Sequence, residues 1–347
     1  MNIREAISRV VSGTDLSEQE MVVVMNEIME GQATDAQIAA FITALRMKGE
    51  TVEEIVGAVR VMRDKATYID TGVDTSAGDI LMDIVGTGGD ASGTFNVSTT
   101  TSFVVAAAGV TVAKHGNRAV SSKCGSADVL EALGVNLTLP PEAVSACIRK
   151  IGIGFLFAPM LHGAMKYAIG PRREIGIRSI FNLLGPMTNP AGANVQLTGV
   201  FDRKLTYVFA EVLLRLGMKR TLAVWGEGNM DEMTVTGISH VADAHDGEIT
   251  TYTVEPEQVG LKTAPVEAIR GGESADESAE MVREVLSGVA GAKLDMVLLN
   301  AGAALLAAGK ADDLPAGVEL AREVVASGGP LAKLEELVGY SRSFNNK

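Results

Sequence analysis

A mostly apolar run, Ile80-Leu81-Met82-Asp83-Ile84-Val85, empties into Gly86-Thr87-Gly88-Gly89-Asp90, and this junction constrains the fold more than any other stretch of the chain. Six residues of that composition fit a strand buried on both faces, the kind a parallel sheet uses. Three glycines in four positions then permit positive φ and close approach. Gly86, Gly88 and Gly89 can aim consecutive N–H groups into one concavity suited to anionic oxygens. Downstream, Asn96-Val97-Ser98-Thr99 precedes the alanine-rich apolar stretch from Phe103 to Val112. That order predicts a buried helix with Ser98 or Thr99 as its N-cap. A helix N-terminus adds free donors and partial positive charge to the same place. The spacing matches neither G-x-G-x-x-G nor G-x-x-x-x-G-K-[ST], so a dinucleotide or a P-loop nucleotide is not the natural ligand. On the glycines alone, a phosphate cradle and an ordinary strand-to-helix turn remain alternatives.

The rest of the chain extends this unit into an architecture. Before it, three helix starts carry one capping-box pattern, Ser17-x-x-Glu20, Thr34-x-x-Gln37 and Thr51-x-x-Glu54. Apolar stripes follow at helical spacing: Met21, Met25 and Ile28; Ile38, Phe41 and Leu45; Ile55, Val59 and Met62. These read as the core of a small helical domain. On the first helix, Ile3, Ile7 and Val10 suit either core or an interface. After a Thr-, Asp- and Gly-rich shift near 66–78, strand-like segments alternate with helices: 80–85, 110–113, 153–157, 197–200 and 222–225. Such alternation predicts an α/β domain with a central, mostly parallel sheet. Asp246-Gly247 between 240–244 and 248–254 marks a hairpin at the sheet margin. Segments 274–287, 294–308 and 314–327 read as closing helices.

Charge narrows the functions open to such a fold. Asp and Glu outnumber Lys and Arg by 43 to 30, which disfavours general binding to nucleic acid or an anionic membrane. Any anion site must therefore be local. Apolar runs fall short of the roughly 18 to 20 residues that span a bilayer, and the first residues lack a signal-peptide core. Cys124 and Cys147 are too few for a disulfide scaffold. A cytoplasmic location is the resulting expectation.

Three further segments carry candidate chemistry. Lys114-His115-Gly116-Asn117-Arg118 and the residues through Asp128 follow a short strand, so they should gather at the carboxyl edge of the sheet. Lys114, Arg118 and Lys123 with Ser121, Ser122 and Ser126 supply cations and hydroxyls for phosphate oxygens. Asp231 and Glu232, on a loop directly after a strand, suit hydrated Mg²⁺, although such a pair also suits a solvent-facing turn. His162, Arg172 and Arg173 suit a carboxylate, or else the arginines pair with Glu174. Gly-Pro and Asn-Pro pairs between 170 and 190 mark a crossing between domains.

With these segments in order, the chain resembles the anthranilate phosphoribosyltransferase family along essentially its full length. The family's D-x-x-G-T-G-G-D, N-x-S-T, K-H-G-N-R-x-x-S-S-x-x-G-S-A-D, R-x-I-F-N-x-L-G-P-x-x-N-P and acidic pair stand here as 83–90, 96–99, 114–128, 178–190 and Asp231-Glu232. The resemblance implies a homodimer. Each subunit would set a small helical domain, residues 1–72 completed by part of 160–190, on a nucleoside phosphorylase-like α/β domain of residues 73–345. The implied reaction belongs to tryptophan biosynthesis. The amine of anthranilate attacks C1 of 5-phosphoribosyl 1-diphosphate (PRPP) with inversion, giving N-(5-phosphoribosyl)anthranilate and diphosphate.

Carried over residue by residue, the resemblance implies that PRPP meets Gly86, Gly89, Asp90, Thr94, Asn96, Val97, Ser98 and Thr99 on the first segment. Lys114, His115, Gly116, Asn117, Arg118, Ala119, Val120, Ser121, Ser122 and Ser126 would complete its site. Magnesium, two ions per subunit, would be served by Ser98, Asp231 and Glu232. Anthranilate would meet Gly86, Asn117 and Arg172, with His162 lining its access. No residue is implied as a general acid or base; Asn117 and Arg172 would position. The family commonly has Val and Leu where this chain has Pro171 and Ile175, which leaves Arg172 and Arg173 both open. A pyrimidine nucleoside phosphorylase is the nearest alternative, but the intact glycine turn and the Asp231-Glu232 pair favour a diphosphate donor with metal. A nucleic-acid-binding relative would need a basic face that this acidic chain lacks.

Overall fold

Each of the first four helices begins where a side chain takes an orphan amide. In the computed structural model, which describes residues 1–89, 92–119 and 123–346, these are α1 (Ile3–Val11), α2 (Glu18–Met29), α3 (Asp35–Lys48) and α4 (Val52–Asp64). Their capping boxes pair Asn2 with Glu5, Ser17 with Glu20, Thr34 with Gln37 and Thr51 with Glu54. The last three are those expected from sequence. The three predicted stripes are buried in one cluster, and Ile3 and Val10 join it as core. Glu54 is wholly buried and fully engaged, with Lys48 Nζ at 3.0 Å and the amides of Leu16 and Thr51 at 3.0 and 2.8 Å. One carboxylate thus ties the start of α4 to the α1–α2 connection and the end of α3.

Beyond the bundle, the strands β1 (Leu81–Gly86), β2 (Thr111–Gly116), β3 (Ile153–Phe157), β4 (Val195–Gly199), β5 (Arg220–Gly226), β6 (Ser239–His245) and β7 (Glu248–Val254) form one sheet. Its order is β3-β2-β1-β4-β5-β6-β7, with β1 to β5 parallel and β6 and β7 antiparallel. The connections run outward from β1 in one direction, then return to β4 and run outward in the other. A switch point of this kind opens a crevice beyond the carboxyl ends of β1 and β4, where α/β proteins bind ligands.

The expected strands all form, with one consequential difference. β2 reaches Gly116 rather than Ala113, pairing with β3 as far as Gly116 with Phe157. Lys114 and His115 are therefore buried sheet residues, 3% and 4% exposed, not loop residues.

Helices cover both faces. α5 (Val97–Ala107) follows β1; α6 (Ser126–Ala132) and α7 (Pro141–Ile151) lie between β2 and β3. The short α8 (Ala158–Leu161), α9 (Lys166–Ile175) and the short α10 (Phe181–Leu184) precede β4, and α11 (Leu205–Arg215) precedes β5. The closing helices α12 (Ala275–Leu286), α13 (Ala292–Ala307) and α14 (Leu314–Ala326) fall where expected, and α15 (Gly329–Arg342) adds a helix the sequence did not suggest. Gly328, at φ 75°, ends one helix, and Pro330 sits in the first turn of the next, where a missing N–H costs nothing. Alternate β5 residues face opposite ways. Leu222 and Val224 join the cluster with α5 and α13, while Ala223 joins Phe209 and Leu213 of α11 and the helical bundle.

α9 packs on α2 and α3. It runs straight through Pro171, so Gly170-Pro171 does not end it. Of the three crossings between the bundle and the sheet, the first is bonded to the other two: Thr67 N–H to the Leu161 carbonyl at 2.8 Å, Ile69 N–H to Pro190 at 3.1 Å, and Arg63 Nε to Met187 at 2.8 Å. Among the described residues no helix is long and apolar enough to cross a membrane, and both cysteines are free thiols.

Candidate active site

The acidic pair after β5 is steered into the crevice by a tight turn. Gly226 and Met230 exchange two backbone hydrogen bonds, at 2.9 and 3.0 Å, across Gly228 and Asn229 with φ of 90° and 63°. The chain doubles back and lays Asp231, 8% exposed, under the ends of β1 and β4. Its Oδ2 accepts the Gly88 N–H at 2.6 Å. A Cβ at Gly86 would stand 2.4 Å from that oxygen, and one at Gly199 only 1.4 Å from the Asp231 carbonyl oxygen. These two glycines are required by close approach rather than by conformation. Thr87 completes the joint, its N–H to the Gly199 carbonyl at 3.0 Å and its Oγ1 accepting from Phe201 N–H at 3.1 Å. On the far side, Asn300 of α13 bonds both the N–H and the carbonyl of Met233, at 3.0 and 2.8 Å. Asp231 and Glu232 are thus anchored from both ends.

Lys114 reaches the same place from the neighbouring strand. Its Nζ donates to the Ile84 carbonyl at 2.7 Å and lies 3.3 Å from Ser98 Oγ. Burial pulls its pKa down to about 8, opposed by the charges of Asp83, Glu232 and Asp231. Asp83 is wholly buried beside it, and burial raises its carboxyl to about 6 against the pull of Lys114. The ammonium and three carboxylates therefore share one electrostatic neighbourhood.

The N-cap of α5 is Asn96, not Ser98 or Thr99. Its side chain makes no cap bond; Nδ2 donates instead to the Cys124 carbonyl at 3.2 Å. The first turn of α5, with Ser98 in it, is left without a side-chain cap, the arrangement an anion exploits. Val97 and Thr99 are buried and support that turn from beneath. Just upstream, Thr94 bridges to Arg270, and Gly271 N–H bonds the Gly93 carbonyl at 2.9 Å.

The loop after β2 is clamped by Asp128, whose Oδ2 accepts from the amides of Ala119 and Gly125 at 2.9 Å each. Gly125 is needed there, since its Cβ would meet Ala119 N at 2.4 Å. The Asn117 carbonyl accepts from Ala127 N–H at 3.2 Å, and its exposed side chain accepts the Arg118 N–H through Oδ1 at 2.8 Å. Ser126, opening α6, stands against Gly116, whose added Cβ would lie 3.0 Å from its Oγ. Arg118 is turned outward, paired with Asp128 and Glu131 at 2.9 and 2.8 Å and lying over the Phe157 ring. Lys123 pairs with Glu273. Asp90, Val120, Ser121 and Ser122 lie outside the described residues.

His115 and His162 meet edge to edge, Nε2 to Nε2 at 3.1 Å, and burial lowers them to about 3 and about 4. Both are neutral at pH 7, so one ring donates and the other accepts. Of the two arginines left open by the sequence, Arg172 is half-buried, stacked 5.2 Å from the centre of Phe181, with a pKa lowered by burial; Arg173 is exposed. Arg178, exposed and stacked on Phe201 at 4.1 Å, donates to the Gly89 carbonyl. Sequence reasoning did not single out Arg178, Gly199 or Asn189. A glycine closing a buried strand, as Gly199 closes β4, was the signal available for one of them.

Comparison with known proteins places the chain in a family. Residues 4–66 match the helical bundle domain of a glycosyl transferase family, and residues 78–331 match its a/b domain. An anthranilate phosphoribosyltransferase from Desulfotalea psychrophila is 71% identical over 98% of this chain and 97% of its own. The crystal structure of the enzyme of that name from Thermus thermophilus aligns with a TM-score of 0.91 at 45% identity, over 97% of this chain and 99% of that one. A Saccharomyces cerevisiae structure of the same name, in complex with PRPP and Mg, aligns with a TM-score of 0.88 at 26% identity over 98% of each chain. This chain belongs to the anthranilate phosphoribosyltransferase family.

Proposed function

We propose that this chain transfers the phosphoribosyl group of PRPP to the amine of anthranilate, releasing diphosphate. The observation that carries the reading is the meeting of Asp231, the Gly86 to Gly89 turn, Lys114 and Ser98 at one switch point. The N–H groups of the glycine turn and of the first turn of α5 hold diphosphate oxygens, and Lys114 adds a buried positive charge. Asn117, with Ser126 and Gly116 behind it, closes the other wall. Thr94, Asn96 and the segment from His115 to Ala119 belong to the PRPP side, and Gly86, Asn117, His162 and Arg172 to the anthranilate side.

The residues present fit magnesium. Among the described residues no group of three His, Cys, Asp or Glu could hold an ion alone. Two adjacent carboxylates, Asp231 and Glu232, with the Ser98 hydroxyl, suit an ion that keeps waters and takes substrate oxygens for its remaining ligands. Bound there, magnesium neutralises charge on the leaving diphosphate; the reading places two ions per subunit.

The protein's own part is electrostatic and positional. An aromatic amine is neutral at pH 7 and brings its own lone pair, so no strong base is required. That agrees with a crevice whose histidines are buried, neutral and bonded to each other. Fixed donors around the diphosphate stabilise charge that builds as the C1–O bond breaks, and holding the amine beneath C1 lowers the entropic part of the barrier. Arg172 supplies the cation for the anthranilate carboxylate. Arg172→Ala is expected to raise the KM for anthranilate at least about tenfold, the loss of a charged hydrogen bond, with the KM for PRPP little changed. Arg173→Ala should leave both constants near wild type in the same steady-state assay.

The same reading takes residues 1–72 with part of 160–190 as one domain, supported by α9 packing on α2 and α3, and residues 73–345 as the other. It also takes the working enzyme as a cytoplasmic homodimer. Mixing the protein with anthranilate, PRPP and Mg²⁺ and following the fluorescence of anthranilate tests the reaction. Its decay is expected, and its persistence over hours at micromolar enzyme would refute the substrate assignment.

A further inference from the structure

Two neighbouring strands of the sheet part company early. β1 pairs with β2 only at Leu81 with Thr111 and Met82 with Val112, whereas β1–β4 and β2–β3 stay paired to their carboxyl ends. Side chains fill the opened ladder. Asp83 Oδ1 accepts the His115 N–H at 3.0 Å, Asn189 Nδ2 donates to the Ala113 carbonyl at 2.8 Å, and Lys114 Nζ takes the Ile84 carbonyl at 2.7 Å. Asp83 is 0% exposed, and its Oδ2 has no hydrogen bond. A carboxylate needed only to cap one amide would be replaced with gain by a neutral group, because a buried charge left half-satisfied is strongly unfavourable. The charge of Lys114, on the neighbouring strand, is the one that favours its ionised form.

We propose that Asp83 is a positioning residue for the transfer. Together with the Asn189 amide it wedges β2 away from β1, which makes room for the Lys114 stem to turn back over Ile84, and its negative charge favours the ammonium at the inner edge of the diphosphate seat. Without that opening, the amide of His115 and the carbonyl of Ala113 would bond to β1, and the Lys114 stem would have no room to turn back over Ile84. Without that charge, the ammonium would be left to the charges of Asp231 and Glu232 alone. The inference rests on Lys114 being a diphosphate contact.

A double-mutant cycle of Asp83→Asn and Lys114→Met tests both layers, with PRPP varied at saturating anthranilate and Mg²⁺. Lys114→Met is expected to lower kcat/KM for PRPP by about 100-fold, the effect of losing one preorganised donor. Asp83→Asn should lower it by about 10- to 100-fold, the range seen when a residue that orients another is lost. Its KM for anthranilate should move less than about threefold. In the Lys114→Met background, Asp83→Asn should add less than about threefold, because the two act as a unit. Asp83→Asn kinetics within about twofold of wild type, or an equal loss in both backgrounds, would overturn the proposal. Unchanged PRPP kinetics in Lys114→Met would overturn instead the reading of Lys114 beneath it. Asparagine is isosteric but leaves the buried Lys114 ammonium without the charge that faces it, so the melting temperature is expected to fall. If that variant does not fold, Asp83→Ser enters the same cycle; if neither folds, the role is structural and the proposal falls.

Discussion

Asp231→Ala should lower kcat by about 100- to 1000-fold at saturating substrates, the scale on which a single preorganised electrostatic group acts. Three contacts converge on this side chain. It accepts the Gly88 N–H at 2.6 Å, so its loss frees the glycine turn. It fills the space against Gly86, where even a methyl group would collide with it. Its charge is one of those opposing the loss of the proton from Lys114. Alanine removes all three at once, and with them half of the acidic pair offered to magnesium. Asp231→Asn separates the contributions, because it keeps the shape and the acceptor for Gly88 while removing the charge. If charge towards metal and ammonium dominates, the two variants will be similarly impaired, and raising Mg²⁺ in the assay will restore neither. Turnover near wild type for Asp231→Ala at saturating Mg²⁺ would sink the metal assignment.

Gly199→Ala is expected to be as damaging by a different route. Its Cβ would be placed 1.4 Å from a backbone oxygen, that of Asp231, on a strand buried throughout. No rotamer relieves such a contact, since the obstacle is main chain on both sides. Either β4 shifts within the sheet or the segment from Gly226 to Glu232 lifts out of the crevice. A stability loss of about 3 kcal/mol is expected, at the upper end of overpacking effects, together with a fall in kcat like that of Asp231→Ala. Gly88→Ala is the informative contrast. Gly88 has φ 65° and nothing within 4 Å of its Cβ, so the substitution costs only about 1 kcal/mol of backbone strain. Denaturant melts and steady-state kinetics on both variants check the pair. A Gly199→Ala enzyme with wild-type stability and turnover would mean that the acidic segment is not seated against β4 as described.

These two residues also show how unevenly the sequence reveals the site. Asp231 was legible because two carboxylates directly after a strand are unusual and have a chemical use. The capping boxes of α2, α3 and α4 were legible because each is closed by residues three apart, and the buried strands because their apolar runs end in glycine or polar loops. Gly199 was not legible, because the group it admits is 32 residues downstream and only tertiary structure brings them together. Lys114 and His115 read as loop because buried strands seldom carry such residues; what offsets their burial is Asp83, on another strand. The cap of α5 was misplaced for a related reason. Asn96 spends its side chain on Cys124, and a helix that leaves its first turn uncapped gives no local signal. Pro171 looked like punctuation, yet tertiary packing of α9 on α2 and α3 carries the helix through it.

The bonds joining the three crossings have a mechanical meaning. Thr67 to Leu161, Ile69 to Pro190 and Arg63 to Met187 form a clasp rather than a slack tether. Turning the bundle against the sheet must stretch or exchange these bonds, each worth about 1 kcal/mol. The segment between the second and third crossings also carries Arg178, which grips the carbonyl of Gly89. A twist at the clasp is therefore transmitted as a pull on the glycine turn, so the stiffness of the joint and the shape of that turn are set by one strip of chain.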